Sequence, residues 1–266
     1  AFALKAVGGR TTKSESNFFS SVGRIQAGTV GKPKVMLLGS SITGRLPDRA
    51  NGFEGFANMG CDGGSAVDAL RAIDSGILPI APTLVIEANT LSLALDPMSS
   101  EVGAAMRSPW FKLGMRYPAL SAYARPAAFA YSILLSRKIG EYGNPESEDD
   151  LKVTSKPRAI LSAPQSSVST EQKALIEELV PLLDRLEARG CKLVFIWLPP
   201  ARSGNSPPPT WIRQLLAESH SLWWDLGNEA LPELVTLTDS VHMSAPSAAR
   251  TVISLRKGLL ELESAR

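Results

Sequence analysis

Short apolar runs recur along the chain, and each stops on a small or turn-forming residue. Residues 35–38 run into Gly39, residues 83–87 into Ala88-Asn89-Thr90, and residues 192–198 into Pro199-Pro200. A shorter run covers 222–226, and another strand is expected to end near Asn58, after a loop over 47–57. The runs are continuous rather than alternating, which is the pattern of strands buried on both faces of a parallel sheet. Between them the spacing changes to helical. Val67, Leu70 and Ile73 follow Ser65, a good N-cap; Leu175, Leu179, Leu182, Leu183 and Leu186 form one stripe behind Ser169-Thr170 and end at Gly190. Helices are also predicted over 210–218 and over 244–262, the latter with Ala248, Val252, Leu255 and Leu259 on one face. Strands alternating with helices predict an α/β fold with a central parallel sheet between helical layers.

Two regions break this rhythm. Residues 1–33 are rich in Gly, Ser and Thr and read as an N-terminal arm with a short helix over 15–25. Residues 92–168 carry six prolines between 109 and 164 and the densest aromatic content of the chain. A helix is expected at 127–139 and an exposed polar loop at 141–155. So long a connection without clear elements has two readings: a lid or binding surface, or a helical insertion that completes the packing. Residues 34–266 therefore read as one α/β domain interrupted at about 92–168.

Composition excludes several classes. Hydrophobic residues make up 44% and charged residues 20%, an ordinary globular balance. A net charge of +2 without a Lys/Arg run argues against nucleic acid as a partner. No apolar stretch reaches the ~18 residues that a membrane span needs. The chain begins at Ala1, which fits a removed signal peptide or an N-terminal anchor outside it. Cys61 and Cys191 lack zinc-site spacing and read as buried thiols, with a single disulfide left open. No metal site and no cofactor are expected. Trp223 and Trp224 alternate in a short strand and read as core plus rim.

Ligands of open α/β sheets bind beyond the carboxyl ends of the strands. Gly39-Ser40-Ser41 lies at such a point, either as a helix cap or as the seat of a nucleophile, Ser41. Only His220 and His242 offer an imidazole base. His220 follows a polar helix end with no acid in a matching position and reads as a surface residue.

Four blocks stand in order: Gly39-Ser-Ser-Ile42, Asn58-Met-Gly-Cys-Asp-Gly63, Glu87-Ala-Asn89-Thr90 and Asp239-Ser-Val-His242. Together they resemble the SGNH (GDSL-type) hydrolase superfamily, over residues 34–90 and 190–262. The resemblance implies a flavodoxin-like three-layer α/β/α fold. It also implies a nucleophile at Ser41, a base at His242 and an orienting acid at Asp239. The oxyanion hole would be formed by the Ser41 and Gly63 backbone N–H groups and the Asn89 side chain. Gly63 is chosen over Gly60 and Gly64 because it lies five positions after Asn58. Read without the family, the three glycines equally shape a turn, Asn89 equally ends a strand and Asp239 equally closes an Asx-turn.

The chain departs from the family pattern in the first block, where Ser40 replaces the usual aspartate and Ile42 the usual leucine. It departs again in the third, where Glu87 and Thr90 flank Asn89 in place of the usual glycine and aspartate. The Gly-Ser-Ser start is similar to envelope-associated members that remove or transfer acyl groups. The resemblance thus implies a serine ester hydrolase that removes an acyl group, such as acetyl, from a carbohydrate or cell-envelope polymer. Two alternatives stay open: an O-acyltransferase using the same site, and a catalytically idle domain that binds a polymer or partner protein. An extracytoplasmic location goes with the first block and the missing start Met.

Overall fold

The structure is a computed structural model that describes residues 15–95, 101–142, 155–160, 168–199, 208–230 and 235–264. Its centre is a six-stranded sheet of β1 (Val35–Gly39), β2 (Phe56–Gly60), β3 (Thr83–Glu87), β4 (Arg158–Ala159), β5 (Lys192–Trp197) and β6 (Leu222–Asp225). The strand order is β2-β1-β3-β5-β6-β4. All pairings are parallel except the last, where Arg158 and Ala159 run antiparallel to Trp223 and Leu222. The chain is an α/β fold with a mostly parallel, mixed sheet flanked by helices. The antiparallel edge is one correction to the expected parallel sheet. A two-residue strand carries no period for a sequence to display.

Neighbouring residues of the parallel strands enter different cores. Met36 and Leu38 of β1, Leu84 and Ile86 of β3, and Leu193 and Phe195 of β5 join one apolar cluster. Leu37, Val85, Val194 and Ile196 join the other. This two-sided burial explains the unbroken apolar runs. Trp223 and Trp224 divide in the same way, one to each core. Trp224 is fully buried, with its indole N–H donating to Ser155 Oγ at 2.8 Å, so no rim tryptophan exists here.

Helices α2 (Ala66–Asp74), α6 (Thr170–Ala188) and α7 (Thr210–Glu218) supply apolar stripes to the first core, and α8 (Ala245–Ser264) to the second. The expected caps are present. Ser65 accepts from the Val67 N–H, and Ser169 forms a reciprocal capping box with Gln172. Gly190 follows α6 at φ +83°, a conformation that favours glycine.

Residues 15–28 form helix α1 (Glu15–Gly28), which covers the expected short helix and packs against the sheet and the insertion. Phe19, Val22 and Ile25 are buried in the first core. The buried Gln26 amide accepts from the Ala122 N–H at 2.8 Å and donates to the Phe111 carbonyl at 3.0 Å. It thereby ties α1 to the insertion. That insertion contains α3 (Glu101–Met106), α4 (Pro109–Arg116) and α5 (Pro126–Ile139). Most of the expected loop at 141–155 lies outside the described residues. Cys61 and Cys191 are both free and buried, and burial pushes each thiol up to about 12.

Candidate active site

The four blocks meet at the carboxyl edge of the parallel strands. Ser40-Ser41 follow β1, residues 61–64 follow β2, and Asn89 follows β3. The fourth block arrives from the loop before α8. There Thr238 N–H bonds the His242 carbonyl at 2.8 Å and Ser244 N–H bonds the Thr236 carbonyl at 2.9 Å. These bonds close a narrow loop with Asp239 and His242 at its tip.

His242 Nε2 lies 2.8 Å from Ser41 Oγ. Its Nδ1 lies 3.0 and 3.1 Å from the two Asp239 carboxylate oxygens. A carboxylate only accepts, so Nδ1 carries the proton in this pair. In the neutral imidazole Nε2 is then the acceptor for the Ser41 hydroxyl. Asp239 also accepts from the backbone N–H groups of Val241 at 3.0 Å and His242 at 2.8 Å. Its Asx-turn and its bond to the imidazole therefore coexist. Partial burial, the largest single influence, works against its charge. The two backbone N–H groups and His242 outweigh that and hold the carboxyl well below its ordinary value. Lys138 at the end of α5 adds an exposed ion pair at 3.3 Å.

The two serines separate cleanly. Ser40 is buried, and Ser41 is half-buried beside the imidazole. Ser40 Oγ donates to Glu87 Oε1 at 2.8 Å and accepts from the Ile42 N–H at 3.1 Å. Glu87 is the functional residue the sequence reading did not assign. It is fully buried at the end of β3 and accepts from Ser40 N at 2.9 Å, Thr43 N at 3.1 Å, Thr43 Oγ1 at 2.7 Å and Thr90 Oγ1 at 2.8 Å. It clamps the whole turn that carries Ser41. Its signal was the double departure from the family pattern, an acid lost at position 40 and one present at 87. Gly39 fits the same clamp by close approach: a Cβ there would collide with the Glu87 carboxylate and Thr43 Oγ1.

Oxyanion donors must be uncommitted before substrate arrives. In the turn 40–44, the amides of Ser40, Ile42, Thr43 and Gly44 each have an acceptor, whereas the Ser41 N–H has none among the described residues. In the loop 61–64, Cys61 N–H bonds Gly39 O, Asp62 N–H bonds Ser21 Oγ and Gly64 N–H bonds Cys61 O. The Gly63 N–H has no acceptor among the described residues. Gly63 also sits exposed at φ +73° with open space around its Cβ position. Gly60 and Gly64 have different duties. A Cβ would strike the Gly44 backbone from Gly60 and Cys61 Sγ from Gly64.

Asn89 is half-buried, and its amide is partly engaged. Oδ1 accepts from the Leu198 N–H at 2.8 Å and Nδ2 donates to the Leu198 carbonyl at 2.9 Å. One Nδ2 hydrogen remains beyond that pair. The strand-end bond fixes the amide against β5.

Helix α1 braces the 61–64 loop. The buried Arg24 guanidinium bonds the Gly60 carbonyl and pairs with Asp62 at 3.3 Å. Burial, the largest single influence, disfavours its charge, yet Asp62 together with Tyr123 and Cys61 outweighs it and raises the pKa above the ordinary value. His220 lies elsewhere. It precedes β6 and so sits at the amino edge of the parallel strands, exposed, at φ +53°. The described residues contain no group of His, Cys, Asp and Glu able to hold a metal.

Comparisons with protein-family models, with curated proteins and with solved structures find no match to this chain. The geometry of the site therefore carries the functional argument.

Proposed function

We propose that the protein is a serine ester hydrolase of SGNH type acting through an acyl-enzyme. The observation that carries this reading is the continuous chain Ser41 Oγ–His242 Nε2, His242 Nδ1–Asp239. A serine hydroxyl is a weak nucleophile until a base within hydrogen-bond reach takes its proton. Here the base is within reach and its tautomer is set by a third group. Ser41 Oγ attacks the acyl carbon while His242 Nε2 takes the hydroxyl proton. The carbonyl oxygen becomes an oxyanion, met by the uncommitted N–H groups of Ser41 and Gly63 and by the remaining Nδ2 hydrogen of Asn89. On collapse, His242 returns the proton to the leaving alkoxide and the acyl group stays on Ser41. Water then repeats the cycle and releases the acid.

The order β2-β1-β3-β5-β6 supports a flavodoxin-like sheet, with the site at the edge where such folds bind ligands. The proposed substrate is an acyl ester, such as acetyl, of a carbohydrate or cell-envelope polymer. That class, and an extracytoplasmic location, follow from the resemblance of the first block.

The test is hydrolysis of an activated acetyl ester and of an acetylated glycan by the wild type and by Ser41→Ala. Loss of triad function is expected to lower kcat by about 10⁴-fold or more. Equal rates in the two proteins would refute the mechanism. Acetate appearing without acetylated acceptor marks a hydrolase; acetyl transferred to an added glycan marks a transferase.

A further inference from the structure

The insertion presents an unusual surface. Residues 102–140 contain no Asp or Glu, but they contain Arg107, Lys112, Arg116, Arg125, Arg137 and Lys138. The same stretch carries most of the large exposed apolar side chains among the described residues. Trp110 and Leu120 are each 56% exposed and Leu134 is 65% exposed. A net charge of +2 for the whole chain means that this cationic character is local.

Helix α4 shows how the surface is built. Phe111 and Gly114 turn inward, Phe111 into the core and Gly114 against the Gln26 amide. Trp110, Leu113 and the capping Tyr117 recur at helical spacing along the flank next to that buried side, and all three are exposed. Lys112 and Arg116, also exposed, form a cationic strip beside that apolar stripe. The Arg116 guanidinium lies 5.6 Å from the Tyr117 ring centroid. Next to the stripe, a cleft of about 250 Å³ opens between α1 and α4, lined by Phe18, Phe19, Phe111, Trp110 and Leu120. Arg125 also borders it, held over the Phe19 ring at 4.1 Å. Of the six cations, Lys138 is paired with Asp239 at 3.3 Å.

We propose that the exposed flank of α4, with the cleft beside it, docks on the surface of an anionic lipid bilayer. Aromatic and leucine side chains enter the headgroup–acyl boundary, the apolar cleft accepts an acyl chain, and the flanking Lys and Arg meet lipid phosphates. An apolar stripe with a basic flank is what an interfacial helix needs. Anionic headgroups complement the cations of a helix that carries no acid of its own. No described helix is long and apolar enough to cross a membrane; the contact proposed here is with the bilayer surface. The inference does not depend on the triad.

The test is co-sedimentation of the full chain with vesicles of pure phosphatidylcholine and with vesicles containing phosphatidylglycerol. The wild type is expected to bind the anionic vesicles at least about tenfold more tightly, and less so as salt rises. Trp110→Ser/Leu120→Ser and Lys112→Glu/Arg116→Glu should each weaken that binding about tenfold or more, with circular dichroism unchanged. Equal binding to both vesicles, or none, overturns the proposal. So does binding to a soluble polyanion with no binding to vesicles. Self-association that the Trp110→Ser/Leu120→Ser variant abolishes, without vesicle binding, would assign the face to a second copy instead. Activity on a soluble ester, measured in parallel, keeps failure of this proposal distinct from failure of the catalytic one.

Discussion

Asp239 accepts from three donors within its own loop, the N–H groups of Val241 and His242 and the ring of His242. Because its folded pKa is depressed, its ionised form adds stability above the ordinary value of 3.8, and that contribution disappears as pH falls below it. Thermal unfolding followed from neutral to acid pH should show this slope in the wild type and a shallower one in Asp239→Asn. Parallel slopes would mean that the carboxylate gains nothing on folding. Glu87 makes a sharper case. Replacing it with Ala leaves buried donors of Ser40 and Thr43 without acceptors, at a cost of about 3 kcal/mol or more in denaturant unfolding. Glu87→Gln should recover part of that loss, since Oε1 still accepts. Ser41, Asp239 and His242 could be singled out in the sequence because nucleophile, acid and base call for those residue types and the resemblance supplied their positions; the structure brings the three within hydrogen-bond distance. The Glu87 clamp was not, since its partners at 40 and 43 come together only when β1 and β3 pair.

Individual elements differ in how openly they declare themselves. The parallel strands and helices α2, α6, α7 and α8 could be read from apolar period and caps, because burial on both faces or along one stripe fixes the residue type. Helix α1 was only half visible. Its Ser, Asn and Gly residues dilute the period, and Arg24 and Gln26 are polar types whose burial depends on partners elsewhere in the chain. Those partners matter to the site, since Arg24 bonds Gly60 and Asp62 in the loop that carries Gly63. The contact at Gly60 is tight, with a Cβ meeting the Gly44 backbone. Gly60→Ala is therefore expected to cost about 2 kcal/mol of stability and to lower kcat by displacing both loops. Gly63→Ala meets no atoms and should instead act through its backbone angle. A wild-type unfolding midpoint in Gly60→Ala would contradict the packing argument.

At the scale of the molecule, the sheet order gathers loops from distant parts of the sequence onto one edge. Ser41 and His242 are 201 residues apart and still within hydrogen-bond distance. The insertion reaches the same edge through Lys138 and through Tyr142, whose hydroxyl donates to the Arg45 carbonyl at 3.0 Å. Its aromatic and basic content was plain in the sequence. Its distribution between core and surface was not, because α4 buries Phe111 and exposes its neighbour Trp110. The central claim is that Ser41 carries the acyl group. The most direct measurement is rapid quenching of the protein with an activated acetyl ester, followed by peptide mass mapping. An acetyl group on Ser41, lost in Ser41→Ala, unable to build up at comparable rate in His242→Ala and unaffected in His220→Ala, is the predicted result. Acetylation at Ser40 or another residue with equal turnover by Ser41→Ala would contradict the account.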